Sequence, residues 1–129
     1  MRIGDVAAAA GVSTKTLRFY EDIGLLPAPA RLSNGYRDYT PETLTRLEFI
    51  TRGRAAGLSL ASLREVLAIR DAGHAPCLHV RETLGRHLAE IDDQLTALAT
   101  LRATVAEAYD TAANGQPTDC DPDQICSYL

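Results

Sequence analysis

Three cysteines are the residues of this 129-residue chain best suited to chemistry. They lie at positions 77, 120 and 126, in the second half of the sequence. Their odd number argues against a disulfide framework and favours thiols that stay reduced. Reduced thiols serve as small buried apolar side chains, as redox sensors or as ligands for soft metal ions. The residues alone leave these three roles open.

Arginine and tyrosine around the turn Asn34-Gly35 form a second chemical pattern. Arg31 precedes the turn, and Tyr36, Arg37 and Tyr39 follow it. Asn-Gly between extended segments is typical of a β-hairpin. Guanidinium groups pair with phosphates, and phenols donate hydrogen bonds to them. The pattern favours a DNA-binding wing over its alternative, a solvated loop that closes the first core.

The net charge of −4 conceals two oppositely charged halves. Residues 1–70 hold ten Arg or Lys against seven Asp or Glu, a net charge of +3. Residues 71–129 hold three against ten, a net charge of −7. A basic first half and an acidic second half indicate two different tasks in one chain.

Helices must position both groups of residues. Ser13 is a good helix N-cap, and Gly11, Gly24 and Gly57 are typical helix stops. The first two helices, joined by a short Gly-Val-Ser turn, form a helix-turn-helix pattern. The predicted helices are Ile3–Ala10, Thr14–Ile23, Pro41–Ala56, Leu60–Ile69 and Cys77–Ala113, with a linker at 71–76. On the third helix Leu44, Leu47, Ile50 and Thr51 are predicted to form the buried face, and on the fourth Leu63, Val66 and Leu67.

The last helix carries an apolar seam that it cannot bury alone. A helix of this length extends roughly 50 Å. Its apolar residues step by four and three, as in a coiled coil. Because there is one such helix per chain, the seam predicts a homodimer. The seam residues are Leu84, Leu88, Ile91, Leu95, Leu98 and Val105.

Other classes of protein are not expected. No apolar run approaches the roughly 20 residues of a membrane span, so no membrane partner is predicted. Residues 1–11 lack the pattern of a secretory leader, which favours a cytoplasmic protein. The sequence has no Gly-rich phosphate loop, no nucleophile elbow and no obvious carboxylate pair, so we do not expect an enzyme.

Four motifs occur in order: LRFYE at 17–21, GLL at 24–26, NGYRDYT at 34–40 and the Arg/Gly pattern RGRAAG at 52–57. With these motifs the chain resembles the MerR family of bacterial transcription regulators. The resemblance implies a mostly α fold, in which a winged helix-turn-helix DNA-binding domain precedes a long dimerisation helix that forms an antiparallel coiled coil. The implied segments are the DNA-binding domain at 1–70, the linker at 71–76, the dimerisation helix at 77–113 and a C-terminal metal-binding loop and tail at 114–129.

The resemblance also implies which residues contact promoter DNA. In the family, a homodimer distorts the promoter so that RNA polymerase engages it once the effector is bound. The second helix would present Thr14, Lys15, Thr16 and Arg18 to the major groove. Phosphates would be held by Tyr20, Tyr36 and Arg37, with Tyr39 beside Arg37 on the wing. Partial packing in the core is the alternative for Tyr20 and Tyr39.

The metal-sensing branch of the family implies a role for the cysteines. There, a residue at the start of the dimerisation helix joins ligands from the partner's C-terminal loop, positions held here by Cys77 and by Cys120 and Cys126. Three thiolates suit a soft divalent ion such as Hg(II), Cd(II), Pb(II) or Zn(II). Zinc would take a fourth ligand, for which His79 is the first candidate. The other candidates for that position are His74, Asp119 and Asp121.

Two alternatives use the same scaffold. Family members that sense monovalent copper, silver or gold typically carry Ser where Cys77 stands, so Cys77 favours a divalent ion. A thiol-based redox or electrophile sensor would need cysteines of low pKa. Asp119, Asp121 and Asp123 lie beside the tail cysteines in sequence and would raise those pKa values instead, which argues against that role.

Overall fold

The computed structural model describes residues 1–116 and 120–129. It forms two compact units, Met1–Thr83 and Leu84–Leu129, each of which is described by itself. The described residues form five helices and a two-stranded sheet, which confirms the predicted mostly α fold. In chain order these are α1 (Ile3–Ala10), α2 (Thr14–Asp22), β1 (Ala30–Arg31), β2 (Arg37–Asp38), α3 (Pro41–Ala55), α4 (Leu60–Asp71) and α5 (Cys77–Asn114).

Local signals fix the helix-turn-helix formed by α1 and α2. Gly11 ends α1 with a φ of 70°, a left-handed conformation that glycine adopts without a steric penalty. The Ser13 hydroxyl caps α2 by accepting a hydrogen bond from the Thr16 backbone N–H at 3.0 Å. The helix ends at Asp22, one residue earlier than predicted, because Ile23 already leaves the helical conformation before Gly24 reverses the chain.

The predicted hairpin is confirmed, and its strands are short. β1 and β2 pair antiparallel, with Ala30 opposite Asp38 and Arg31 opposite Arg37. Within the turn, the Leu32 N–H donates to the Tyr36 carbonyl at 2.8 Å. The Asn34 side chain accepts from the Tyr36 N–H at 3.1 Å, the local bond that favours Asn in turns.

One hydrophobic core joins the helices of the first unit. Its largest fully buried side chains come from α1 to α4 and from the segment after α2: Val6, Leu17, Leu25, Leu26, Leu47, Ile50 and Leu63. The predicted buried face of α4, Leu63, Val66 and Leu67, is confirmed. On α3, however, Leu44 is only half-buried and Thr51 is exposed. Thr43 and Arg46 are buried there instead.

Arg46 explains both the altered face of α3 and the length of α4. Its guanidinium lies 2.7 Å and 3.3 Å from the two carboxylate oxygens of Asp71 and donates to the Leu25 carbonyl at 3.0 Å. A buried arginine is tolerated when its charge is paired and its donors are bonded. The pairing places Asp71 in α4, which ends two residues later than predicted.

The α5 helix of 38 residues ends one residue later than predicted. Within the second unit its predicted seam is exposed: Leu84, Leu88, Ile91, Leu95, Leu98 and Val105 all lie on the surface of the chain. Within the described residues, no helix is long and apolar enough to cross a membrane. The predicted domain boundaries at residues 71–76 and 113–114 stay a prediction.

Candidate nucleic-acid interface and thiol sites

The second helix presents a polar, partly basic surface. Thr14, Lys15 and Arg18 are exposed on α2. Thr16 is half-buried, and both its backbone N–H and its hydroxyl bond to Ser13. Thr16 therefore serves the helix cap, whereas the side chains of Thr14, Lys15 and Arg18 are free to enter a groove of DNA. Contact of these four residues with DNA stays a prediction.

Two of the tyrosines predicted to bind DNA lie in the hydrophobic core. Tyr20 is 9% exposed and Tyr39 is 3% exposed. The structure thus favours the alternative of core packing for both rings. Tyr36 differs, since it is 60% exposed at the tip of the hairpin. Of the three phenols, only that of Tyr36 is openly available to a phosphate, and its contact with DNA stays a prediction.

Glu21 ties the wing to α2. Its carboxylate accepts a hydrogen bond from the Tyr39 hydroxyl and lies 3.4 Å from the Nε of Arg37. Burial raises the pKa of Tyr39 well above its usual range, and the hydrogen bond to Glu21 and the charge of that carboxylate raise it further. Tyr39 therefore stays a neutral donor. The Glu21 side chain is 9% exposed, so this link between elements is largely shielded from water.

We expect Glu21→Ala to loosen this link. The variant leaves the buried Tyr39 hydroxyl without its acceptor and Arg37 without its counter-charge, so the free energy of unfolding should fall by about 1–3 kcal/mol. Urea unfolding followed by circular dichroism measures the change. Asp22→Ala, at the exposed neighbouring position, is the control and should have little effect. Equal midpoints for the two variants would contradict this account.

An open depression of about 490 Å³ lies between the start of α1, α2 and the wing. Its charged lining consists of four arginines and one acid: Arg2, Arg18, Arg31, Arg37 and Asp5. Sequence reasoning did not include Arg2 in the site, because only the fold brings it to the wing. Arg31 was predicted to lie on the hairpin, but it was not included among the residues that bind DNA. A local basic surface thus exists although the whole chain is acidic.

The three cysteines are free thiols. Cys77 is the first residue of α5 and is exposed, Cys126 is exposed and Cys120 is half-buried. Exposure within the chain argues against the role of small buried side chain for Cys77 and Cys126. Asp119, a predicted alternative ligand, lies outside the described residues.

Tyr128 lies beside both tail cysteines. Desolvation raises the pKa of its phenol, and a hydrogen bond with Cys120 and the charges of Cys120 and Cys126 raise it further. The hydroxyl also lies 3.4 Å from the Gln116 carbonyl, to which it donates. The Sγ of Cys120 lies 4.0 Å from the Ser127 hydroxyl. The tail therefore carries two of the three predicted thiol ligands close enough to one phenol to affect its pKa.

His79 is already engaged within the first unit. Its Nε2 atom is buried and lies 3.3 Å from a carboxylate oxygen of Glu65 on α4. Helix residues two apart, such as Cys77 and His79, do not face the same side. This geometry argues against His79 as the fourth ligand, and metal binding by His79 stays a prediction. Among residues 1–116 and 120–129 of one chain, no group of three or more His, Cys, Asp or Glu is placed to hold a metal ion.

Comparison with known proteins identifies the architecture. Residues 1–68 match the family described as MerR HTH family regulatory protein, and residues 44–108 match the family described as MerR, DNA binding. The chain belongs to the MerR family. The match to the first family spans the helix-turn-helix and the wing.

Individual MerR-family proteins match along nearly the whole chain. The HTH-type transcriptional regulator HmrR of Rhizobium leguminosarum is 35% identical over 93% of this chain and 92% of its own length. A probable heavy metal-dependent transcriptional regulator of Haemophilus influenzae is 31% identical over 93% of this chain and 94% of its own length. The crystal structure of PbrR691 from Ralstonia metallidurans in complex with lead(II) has a TM-score of 0.79 and 32% identity, with coverage of 93% and 94%.

This MerR-family chain is therefore a transcriptional regulator rather than an enzyme. The second matched family, described as MerR, DNA binding, covers α3, α4 and most of α5. The predicted family and fold are confirmed by these matches.

Proposed function

We propose that this MerR-family chain is a metal-responsive regulator that binds promoter DNA as a cytoplasmic homodimer. Each site for a soft divalent ion is shared between chains, with Cys77 from one protomer and Cys120 and Cys126 from its partner. The observation that carries the proposal is the placement of the free thiols: one begins α5 and two follow its end. Relatives that include a lead(II)-bound regulator and a probable heavy metal-dependent regulator support it.

DNA binding is assigned to the exposed part of the basic surface. Lys15 and Arg18 on α2 and Tyr36 on the wing are exposed, and Arg37 is half-buried beside them in the fold. Lysine and arginine bind phosphate oxygens through charge-assisted hydrogen bonds, and these contacts set the register of a protein on DNA. Tyr20 and Tyr39 act through packing, since Tyr39 positions the wing through Glu21.

The homodimer follows from the exposed seam of α5. Leu95 and Leu98 are 59% and 62% exposed in the single chain. A stripe of this kind, repeated at heptad spacing, is stable in water when a second helix covers it. In an antiparallel pair, the start of one α5 lies beside the end of the other. That arrangement gives each Cys77 access to the tail of the partner chain.

The donor set fits a soft ion. Thiolates are the protein ligands that bind Hg(II), Cd(II), Pb(II) and Zn(II) well. A bound ion of this class would hold three thiolates and so fix the tail of one chain against the start of α5 of its partner. For Cys120, binding requires loss of its proton, and the bound ion would hold the tail that carries it. Ligand binding is then coupled to the position of the tail.

Switching requires DNA distortion. Smooth bending of a site of 20–30 base pairs costs of order 1–6 kcal/mol, and the free energy of binding a thiophilic ion is large enough to offset it. In this proposal the distorted promoter is the form that RNA polymerase engages. The dimer represses without the ion and activates with it.

A metal titration tests the proposal. The reduced protein is titrated with Hg(II), Cd(II), Zn(II), Pb(II) and Cu(I), and thiolate-to-metal absorbance is recorded. We expect tight binding of one or two divalent ions per dimer, lost in Cys77→Ser. Ala75→Ser, an exposed substitution two residues earlier that leaves all three thiols, is the control and should bind as the wild type does.

Two outcomes would contradict the proposal in different ways. Tight Cu(I) binding that Cys77→Ser leaves unchanged would assign the chain to the monovalent branch of the family. If no ion binds stoichiometrically, the thiols are not metal ligands, and the redox sensor becomes the favoured function.

A further inference from the structure

The basic depression at the wing contains two arginines, Arg2 and Arg31, that are not among the residues assigned to DNA. Four arginines and one aspartate give its lining a net formal charge of +3. The aspartate, Asp5, accepts a hydrogen bond from the Arg2 backbone N–H at 3.3 Å, so it is engaged with the start of α1. Arg31 donates to the Gly35 carbonyl at 3.0 Å and stabilises the turn. A multiply charged anion is the ligand that such a lining favours.

Arg2 connects the start of α1 to the tip of the wing. Its guanidinium carbon lies 5.4 Å from the centroid of the Tyr36 ring, within the range of a cation–π contact. The contact joins residues 34 positions apart in the sequence. Tyr36 is exposed, so a partner on one face of its ring limits where the hydroxyl can lie.

We propose that Arg2 is a DNA-contacting residue that also positions Tyr36. This role rests on the DNA binding proposed above. The phosphates of one DNA strand lie in the depression. The start of α1 is then a third contact element, beside α2 and the wing. The guanidinium is planar, so one face stacks on Tyr36 while its N–H edge binds a phosphate oxygen. Arg18 and Arg37 line the same depression and bind the neighbouring phosphate.

The salt dependence of DNA binding tests the role of Arg2. The wild type, Arg2→Gln and Arg86→Gln are titrated with a 30-base-pair duplex of mixed sequence between 50 and 200 mM KCl. Each phosphate contact contributes about 0.9 to the slope of log K against log salt concentration, so the loss of one contact per protomer should lower the slope of a dimer by about 1.8. Arg86→Gln removes the same charge from an exposed position of α5 and is the matched control.

A double-mutant cycle with Tyr36→Leu tests positioning. If Arg2 holds Tyr36, the double variant should lose less binding free energy than the sum of the two single variants. Arg2→Lys retains the charge but not the planar group, so it should recover the salt slope and only part of the affinity. Thermal unfolding of each variant checks that α1 remains folded.

The outcomes separate this inference from the function on which it rests. Equal slopes for Arg2→Gln and Arg86→Gln, with salt-dependent binding by the wild type, would overturn the role of Arg2 and leave DNA binding intact. Strictly additive effects of Arg2→Gln and Tyr36→Leu would overturn positioning. Absence of salt-dependent binding by the wild type would contradict both the inference and the proposed DNA binding.

Discussion

A heterodimer that combines a Cys77→Ser chain with a Cys120→Ser/Cys126→Ser chain is expected to bind one Cd(II) or Pb(II) ion tightly, although neither homodimer does. In the heterodimer, one shared site regains all three thiolates: Cys77 from the second chain and both tail cysteines from the first. Two different affinity tags allow the heterodimer to be purified after co-expression. Absorbance of the thiolate–metal complex counts the ions bound per dimer.

A second heterodimer makes the result decisive. When a wild-type chain is paired with a chain in which all three cysteines are serine, a shared site is left with at most two thiolates, so tight binding should be lost. A site built within one chain predicts the reverse for both heterodimers. Binding by the wild-type/cysteine-free pair, without binding by the complementing pair, would therefore contradict the shared site.

The double substitution Leu95→Glu/Leu98→Glu is expected to convert the dimer to a monomer. Each leucine is more than half exposed in the single chain, and full burial of such a side chain stabilises an interface by about 1.5–3 kcal/mol. Four glutamates in the seam of one dimer would replace that gain with the desolvation of like charges. Light scattering after size-exclusion chromatography should then give the chain mass of 13.9 kDa instead of twice that value.

Ala97→Glu/Thr100→Glu is the matched control for the seam. Both residues are exposed on α5 and lie outside the sequence of four- and three-residue steps, so the added charge is the same but its position differs. This variant should remain dimeric. A dimeric mass for the seam variant, or a monomeric mass for the control, would contradict the assignment of the interface.

Local signals made the helices predictable from the sequence. The Ser13 and Ser59 caps each accept a backbone hydrogen bond three residues later, and Gly57 has the left-handed backbone expected after α3. These interactions involve neighbours in the chain, so the residue types alone reveal them. The predicted and observed helix ends accordingly differ by at most two residues.

Contacts between distant residues were not predictable in the same way. Arg46 is not among the residues predicted for the buried face of α3, because its burial depends on Asp71 and Leu25, 25 and 21 positions away. Tyr39 is a predicted DNA-binding residue of the wing, and the sequence did not show that its hydroxyl would donate to Glu21. In both cases the side chain is polar at its tip and apolar along its body, and tertiary structure decides which part meets water.

The same difference between local and long-range features applies to the candidate site. The cysteine positions and the basic wing were evident from residue type and spacing, whereas the exposure of Cys77, the neighbourhood of Tyr128 and the contact of Arg2 with Tyr36 needed the fold. The metal ligands are predicted to come from two chains. Their assembly therefore depends on pairing as well as on folding.

In the proposed homodimer, the exposed seam of α5 makes the stability of the protein depend on its concentration in the cell. The first unit has its own buried core, so its apolar side chains are covered within one chain. In the proposed homodimer the apolar seam of the second unit is covered by the partner chain, and mass action governs how many chains are paired. At low copy number more chains carry an uncovered helix, which is open to proteases. Dilution during growth would then remove the regulator faster than its intrinsic fold stability suggests.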